Sequence, residues 1–141
     1  ALFDFYNLTS RFGDRKDPFT NRPDWHNGVD LGAWPGTKVR ATAPGIVRHA
    51  GNKGGYGRLV VVDHGCGIQT LYAHLKSINV KKGQQVSYRD VVGAVGSSGR
   101  STGPHVHYEI RIHDEAVDPY EFIEAGRYVF KEQELTIADA Q

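Results

Sequence analysis

The stretch Ser101-Thr-Gly-Pro-His-Val-His-Tyr-Glu-Ile110 is a Gly-Pro turn that leads into a short alternating strand. Pro104 lacks a backbone N–H and moves the residue before it out of the α region, so the pattern predicts a strand after it. Because side chains alternate along a strand, His105 and His107 point to the same face. Two imidazoles on one face can reach one metal ion, although a pair of structural sheet histidines has the same pattern.

A second polar segment, His26-Asn-Gly-Val-Asp30, offers another histidine and a carboxylate in the first quarter of the chain. Its Asn-Gly dipeptide favours a turn, so we expect a bend that enters a strand over residues 29–31. Two imidazoles and one carboxylate fit zinc and leave one tetrahedral position open, which is the catalytic arrangement. Three histidines and one aspartate are available for three places. The pattern does not say which histidine is left over, and a closed structural site with four ligands is the alternative.

Length and composition predict one mainly β domain. The chain has 141 residues, of which 39% are hydrophobic and 23% charged, which is enough for one core. Its 17 glycines and its lack of stretches with helical period predict antiparallel sheets of short strands, with at most one short helix, over residues 120–126. A net charge of +1 provides no basic stripe for nucleic acid, and no apolar run is long enough to predict a membrane span.

Two hairpins are predicted from turn signals between apolar segments. Residues 38–41 and 45–50 are expected to be strands joined by the Pro44-Gly45 turn. Residues 58–64 form the most hydrophobic segment and are expected to be a central strand, which a glycine-rich turn joins to a strand over 68–74.

Similar motifs of the form Gly-x-x-Val occur at residues 36–39 and 83–86, each before an apolar strand. They predict two similar hairpin units in one sheet system, as in a barrel sandwich. His74 ends a strand just before a polar segment, where functional side chains are often presented.

Three segments are predicted to be loops: 14–24, 51–57 and 97–102. The first is polar and contains two prolines, and the second is rich in glycine. The second lacks the Gly-Lys-Ser/Thr ending of a phosphate-binding loop. We expect the three loops to line a narrow groove, because glycine-rich backbone lets an extended peptide approach closely.

Residues 10–123 resemble the lysostaphin and LytM type of zinc endopeptidase, which cuts peptidoglycan peptides. Four motifs carry the resemblance: His26-Asn-Gly-Val-Asp-Leu-Gly32, Gly54-Gly-Tyr-Gly57, Tyr72-Ala-His-Leu75 and Gly99-Arg-Ser-Thr-Gly-Pro-His-Val-His-Tyr-Glu109. The resemblance implies a sheet protein with a narrow active-site groove. It also implies one zinc ion, held by His26, Asp30 and His107.

The same resemblance implies that two further histidines lie beside the zinc-bound water as catalytic residues. His105 would accept the proton of the attacking water, and His74 would stabilise the oxyanion or the leaving amine. Two departures from the family pattern are visible. Residues 20–25 contain no tyrosine, which puts one further oxyanion donor in doubt, and Arg89 lies where the family often turns on glycine.

The implied organisation is a zinc peptidase domain over residues 10–125, between an N-terminal edge segment over 1–9 and a tail over 126–141. The chain begins at Ala1 with no signal peptide, so we expect a mature or excised domain with flanking domains missing. The implied substrate is a peptidoglycan stem peptide or crosslink, in a periplasmic or secreted cell-envelope location. A single cysteine and the lack of a glycine-specific feature favour D-alanyl to diaminopimelyl bridges of a Gram-negative wall.

Two other function classes remain open. The first is a catalytically silent wall-binding or hydrolase-activating module on the same fold, which would have lost site residues, whereas all five are present here. The second is a lipoyl or biotinyl carrier domain, which the hairpin repeats suggest. A carrier would need one modified lysine at a hairpin tip, but Lys81-Lys82 precede a Gly-x-x-Val turn, and the histidines would have no role.

Overall fold

Strands account for nearly all of the regular structure in the described part of the chain. The computed structural model describes residues 7–10, 13–16, 23–97 and 103–119. The strands are β1 (Asn7–Ser10), β2 (Gly13–Lys16), β3 (Pro23–His26), β4 (Val29–Gly32), β5 (Lys38–Arg40), β6 (Gly45–Asn52), β7 (Arg58–Gly65), β8 (Ile68–Ala73), β9 (Leu75–Ile78), β10 (Gln85–Val86), β11 (Val91–Val95), β12 (His105–Ile112) and β13 (Glu115–Val117). One 3₁₀ turn, Gly54–Tyr56, precedes β7.

The strands form three antiparallel sheets. The large sheet has the order β1-β4-β12-β8-β7-β6-β10, with β13 paired to β12. A smaller sheet has the order β5-β11-β9, and β2 pairs with β3 alone. The mainly β, antiparallel fold expected from the sequence is therefore confirmed, as is the β7–β8 hairpin. Strand β7 lies inside the large sheet between β8 and β6, as its hydrophobic sequence predicts.

One apolar core joins the two larger sheets. It contains buried residues from both, among them Val39 and Val92 of the smaller sheet and Val60 and Val106 of the larger. Alternation along β12 gives Val106, Tyr108 and Ile110 to this core. The intervening residues of β12 therefore lie on the opposite face of the large sheet, where a second, smaller apolar cluster is found. This second face carries the candidate site.

The hairpin predicted over residues 38–50 is wrong. β5 pairs with β11, and β6 pairs with β7 and β10, so the Pro44-Gly45 turn carries the chain from the smaller sheet to the larger one. A Cβ on Gly45 would lie 2.4 Å from the carbonyl oxygen of Asp63, so the missing side chain lets β6 approach β7 closely. The two units that begin with Gly-x-x-Val do pair with each other, but in two different sheets. β5 pairs with β11 in the smaller sheet, and β6 pairs with β10 in the larger one.

The loop predicted over residues 14–24 is also wrong where it is described. β2 and β3 pair in register from Gly13 with His26 to Lys16 with Pro23, leaving 17–22 outside the described residues. Pro23 is tolerated because it is the first residue of a strand, where a missing N–H removes no interior ladder bond. In the loop predicted over 51–57, β6 extends to Asn52 and a 3₁₀ turn follows.

Two further expectations fall largely outside the described residues. The short helix predicted over 120–126 lies wholly there, and so do residues 98–102 of the third predicted loop. Within the described ranges, none of the helical structure is long and apolar enough to cross a membrane.

Candidate metal centre and active site

The candidate site is built where β4 and β12 lie side by side. Their register pairs His107 with Asp30 and His105 with Gly32. The Asn27-Gly28 bend enters β4 as the sequence predicts, and a Cβ on Gly28 would lie 2.3 Å from the carbonyl oxygen of Tyr108. Only glycine allows this approach, so the local sequence and the strand pairing together bring Asp30 opposite His107.

Both ring nitrogens of His107 have carboxylate partners. Nδ1 lies 2.8 Å from Oδ1 of Asp30, and Nε2 lies 2.9 Å from Oε1 of Glu109. All three side chains are buried. The neutral imidazole carries one proton, so it can donate a hydrogen bond to only one of these two carboxylates at a time.

Glu109 is surrounded by donors. Tyr56 donates its hydroxyl hydrogen to Oε1 over 3.0 Å, while Nε and Nη2 of Arg111 donate to Oε2 over 3.0 and 2.9 Å. Nη2 of Arg111 also donates to the hydroxyl oxygen of Tyr56 over 3.2 Å, so the Tyr56 hydrogen is directed to Glu109. An ionised carboxylate accepts only, so Glu109 favours a proton on Nε2 of His107, while Asp30 favours one on Nδ1 in the same way. A metal ion bound to Asp30 would remove the second demand and leave the ring proton on Nε2.

The ionisation of these groups follows from the same contacts. Burial opposes ionisation of Glu109, but hydrogen bonds and charges from His107 and Arg111 lower its pKa below the usual 4.5. Burial likewise opposes protonation of His107, yet hydrogen bonds to Asp30 and Glu109 and their charges raise its pKa from 6.5 to about 9. The surroundings of this ring therefore favour a positive charge beside Asp30, which a proton or a metal ion can supply.

His105 faces Asp30 through Nε2, whereas His107 faces it through Nδ1. Its Nδ1 donates to the carbonyl oxygen of Gly103 over 2.8 Å, so in the neutral ring Nε2 carries the lone pair. That Nε2 lies 3.7 Å from Oδ1 of Asp30. The two histidines of β12 thus face the same carboxylate oxygen through different nitrogens and at different distances.

These donors fit a divalent metal ion. When the proton of His107 is on Nε2 and that of His105 is on Nδ1, lone pairs from Nδ1 of His107 and Nε2 of His105 face one oxygen of Asp30. This cluster needs a positive charge at its centre, which a proton on Nδ1 of His107 or a metal ion in its place can supply. Imidazole nitrogen and carboxylate oxygen are ligands that zinc accepts. A ligating histidine whose other N–H is held by a carboxylate is also a recurrent feature of zinc sites.

The third predicted ligand, His26, is described through its backbone alone. It ends β3 opposite Gly13, two residues before the bend at Gly28, and its side chain lies outside the described residues. In the part of the chain that the structure describes, no group of three His, Cys, Asp or Glu side chains forms a complete metal-binding set. The ligand set of His26, Asp30 and His107 stays a prediction.

His74 lies on the same face as the two β12 histidines. Its ring centre is 5.1 Å from that of His105 and 6.0 Å from that of His107, edge-on to both. The residue is buried and has a positive φ of 61°, a conformation rare for a residue with a side chain. Its backbone N–H donates to the carbonyl oxygen of Tyr56 over 2.8 Å, so the 3₁₀ turn helps to hold this backbone conformation.

Three residues beside His107 were given no role in the sequence analysis: Glu109, Tyr56 and Arg111, although Tyr56 lies in the segment 51–57 that was expected to line the groove. The signal for the first and third was available, because the period of two that aligns His105 with His107 continues to Glu109 and Arg111. A buried glutamate flanked by histidine and arginine on one strand face indicates a charged network. Tyr56 lies in the 3₁₀ turn, and no local sequence signal predicts that its side chain contacts residues of β12.

A model of peptidase family M23 matches residues 24–119. The chain therefore belongs to peptidase family M23, the family of the LytM-type peptidases that the sequence resembles.

Individual relatives agree with this membership. The chain is 45% identical over 115 residues to the DD-carboxypeptidase/endopeptidase Mpg of Neisseria meningitidis, covering 82% of this chain and 26% of that protein. It is 40% identical over 114 residues to the peptidoglycan DD-endopeptidase ShyA of Vibrio cholerae, covering 80% of this chain and 26% of that protein. The chain thus spans about a quarter of the length of these relatives.

Solved structures share the fold. The catalytic domain of the antimicrobial peptidase lysostaphin from Staphylococcus simulans superimposes with a TM-score of 0.77 at 30% identity, covering 84% of this chain and 92% of that one. A zinc-containing peptidase from Vibrio cholerae superimposes with a TM-score of 0.74 at 37% identity, covering 80% of this chain and 36% of that one. The likeness to lysostaphin predicted from the motifs is confirmed.

Proposed function

We propose that this chain is a zinc-dependent endopeptidase domain that hydrolyses peptide bonds in peptidoglycan stem peptides or crosslinks. The observation that carries the proposal is the convergence of Asp30, His105 and His107 across β4 and β12, with His74 on the same face. Membership of family M23 supports the reaction class, and the peptidoglycan DD-endopeptidase relative supports the substrate. Residues 10–125 are proposed as the peptidase domain, between the edge segment 1–9 and the tail 126–141.

One zinc ion would be held by His26, Asp30 and His107. Nδ1 of His107 and Oδ1 of Asp30 are the described donor atoms, and the zinc-containing peptidase of similar structure supports this choice of metal. When bound, zinc supplies a Lewis acid that activates water and polarises the scissile carbonyl group.

His105 is proposed as the general base. Its Nδ1–H is held by the carbonyl oxygen of Gly103, which leaves Nε2 as the basic nitrogen and directs it to the side of Asp30. There the ring can take a proton from the attacking water and later return it to the leaving amine. His74, edge-on to His105 at 5.1 Å, can donate a hydrogen bond to the oxyanion or the leaving group.

A catalytically silent module on the same fold is the second candidate. Such a module would have lost some of the residues that bind metal or transfer protons, whereas this chain retains His26, Asp30, His74, His105 and His107. The active enzyme is therefore favoured. Family membership removes the carrier-domain hypothesis.

The proposed location is the cell envelope, periplasmic or secreted, because the substrate is found there. The Neisseria and Vibrio relatives support a Gram-negative wall, whose crosslinks join D-alanine to diaminopimelate. The proposed partners are this peptide substrate and flanking domains of a longer protein, with no role for nucleic acid. The narrow groove expected along the site stays part of the proposal.

The test is digestion of isolated peptidoglycan, followed by mass spectrometry of the released muropeptides. We expect new peptide termini in the crosslinks, loss of turnover with a chelator, and recovery when zinc is added back. Intact crosslinks with zinc-loaded protein would favour the silent module. Full turnover in protein shown by metal analysis to contain no divalent ion would overturn the zinc mechanism.

A further inference from the structure

Behind His107, on the side away from Asp30, lies a set of three polar side chains that the proposed reaction does not use: Glu109, Tyr56 and Arg111. Glu109 is 1% exposed, although a glutamate is almost never buried without partners. Burying a carboxylate is costly unless it is fully hydrogen-bonded. Glu109 meets this condition, and one of its partners is His107, which connects the carboxylate to the site.

The hydrogen bonds to Glu109 favour one arrangement of the His107 ring when a cation occupies the side of Asp30. Oε2 accepts two hydrogen bonds from Arg111, and Oε1 accepts the Tyr56 hydroxyl and faces Nε2 of His107. Each contact brings a donor to the carboxylate. Because an ionised Glu109 can only accept, it favours a proton on Nε2 of His107. A metal ion bound by Asp30 would replace the proton on Nδ1, so the two contacts are compatible only with metal at Nδ1 and hydrogen at Nε2.

Tyr56 also connects this set to a second histidine. Its hydroxyl contacts Glu109 behind His107, while its carbonyl oxygen accepts the backbone N–H of His74 over 2.8 Å. Its ring lies 6.2 Å from that of His107. One residue of the 3₁₀ turn thus anchors the backbone of His74 and the carboxylate that orients His107.

We propose that Glu109, Tyr56 and Arg111 form a positioning network that holds the proton of His107 on Nε2 and so presents Nδ1 to a metal ion beside Asp30. The network touches neither metal nor substrate and acts through the histidine. The proposal rests on the zinc site of the proposed function and adds to it the residues that decide which nitrogen of His107 binds.

The sharpest test is Glu109→Gln. The amide can turn its NH₂ group toward Nε2, which would move the ring proton to Nδ1 and block metal binding there. We expect the affinity for zinc, measured by competition with a fluorescent chelator, to fall by roughly 10- to 100-fold, as when other groups supporting metal ligands are removed. In ¹⁵N–¹H correlation spectra of the zinc-loaded wild type, His107 should carry its proton on Nε2, and Glu109→Gln should lose that signature.

Asp63→Asn is the matched control. Asp63 on β7 accepts hydrogen bonds from Arg48 and from the backbone N–H of Gly65, so this variant makes the same carboxylate-to-amide change at another hydrogen-bonded acid. Its zinc affinity should equal that of the wild type. Tyr56→Phe removes only the hydroxyl and keeps the carbonyl that holds His74, and it should show a smaller loss of affinity in the same direction.

The outcomes separate the two levels of the proposal. Wild-type protein that binds no zinc would overturn the proposed function and the network with it. Wild-type protein that binds zinc, with Glu109→Gln retaining full affinity and the Nε2 proton, would overturn the network alone. If Glu109→Gln does not fold, Tyr56→Phe decides, because unchanged affinity and an unchanged proton signature in that variant would equally overturn the network.

Discussion

His105 and His107 stand two residues apart on one strand, but they present different nitrogens to Asp30. Nδ1 of His107 lies 2.8 Å from the carboxylate, and Nε2 of His105 lies 3.7 Å from it. The shorter contact and the carboxylate behind the ring support His107 as the metal ligand. The more distant nitrogen of His105 suits a base that works beside the metal.

We therefore expect His107→Ala to lose zinc and activity together, because two remaining ligands hold the ion poorly. His105→Ala should keep the metal while turnover falls by roughly 10² to 10⁴, the usual contribution of a positioned acid or base. Metal analysis and peptidoglycan hydrolysis on both variants provide the measurement. Equal zinc loss in the two variants would indicate a structural site with four ligands and contradict these roles.

Arg89 has a backbone conformation that usually favours glycine. Its φ is 70°, in the left-handed region, at a position where the family resemblance implies a turn on glycine. Its N–H donates to Ala41 and its carbonyl oxygen accepts from the Arg40 side chain, so backbone contacts hold the conformation. A side chain in this region costs roughly 1–2 kcal/mol.

Replacing this residue with glycine should remove that strain. Part of the gain is offset because glycine has more freedom in the unfolded chain. We expect Arg89→Gly to raise the free energy of unfolding by about 1 kcal/mol and Tm by roughly 2–4 °C. Arg89→Ala keeps the Cβ and should give no such gain. If thermal melts show the same change for both variants, loss of the long side chain and not the backbone conformation would be responsible.

The pairing of strands β4 and β12 depends on a close approach between Gly28 and the backbone of Tyr108. A Cβ there would meet the carbonyl oxygen of Tyr108 at 2.3 Å and Cγ of Glu109 at 2.8 Å. The first neighbour is backbone and cannot rotate away, so the two strands would have to separate. Asp30 and His107 would separate with them.

We expect Gly28→Ala to destabilise the fold by roughly 1–3 kcal/mol, the usual cost of overpacking, and to weaken zinc binding. Denaturant unfolding and chelator competition measure the two effects. Gly103→Ala is the control for stability, because a Cβ at Gly103 meets no heavy atom within 4 Å. Equal stability of the two variants would mean that the strands tolerate the added methyl group.

Local patterns predicted some strands and missed the partners of others. The alternation of β12 and the turn between β7 and β8 were sufficient to predict these strands, because both patterns involve residues that are close in sequence. The Pro44-Gly45 turn was misread because a turn signal does not say which sheet the next strand joins. The strands β2 and β3 were missed because their polar residues lack an apolar alternation.

Two of the proposed metal ligands lie on strands that are distant in sequence. His107 and Asp30 are 77 positions apart, and no local pattern predicts their register. The resemblance to a known family implied that the two residues lie close together, because it assigned both to one zinc site. The buried network of Glu109, Tyr56 and Arg111 depends on three-dimensional contact between the 3₁₀ turn and β12, so sequence reasoning left it out.

If the site binds zinc only when folded, zinc should stabilise the whole domain. At a free zinc concentration 100 times the Kd, mass action adds about 2.7 kcal/mol to the free energy of unfolding. We expect Tm to rise by several degrees with zinc and to return when a chelator is added. His107→Ala should show no shift. A rise in His107→Ala equal to that of the wild type would assign the effect to zinc bound elsewhere.

The distance in sequence between β4 and β12 has a consequence for synthesis. During synthesis, His26, Asp30 and His74 emerge from the ribosome well before the strand that carries His105 and His107. Until that strand emerges and inserts between β4 and β8, the nascent chain has three of the five proposed site residues and lacks the strand that carries the other two. We therefore expect a product of premature termination before residue 105 to bind no metal at this site and to lack the proposed activity.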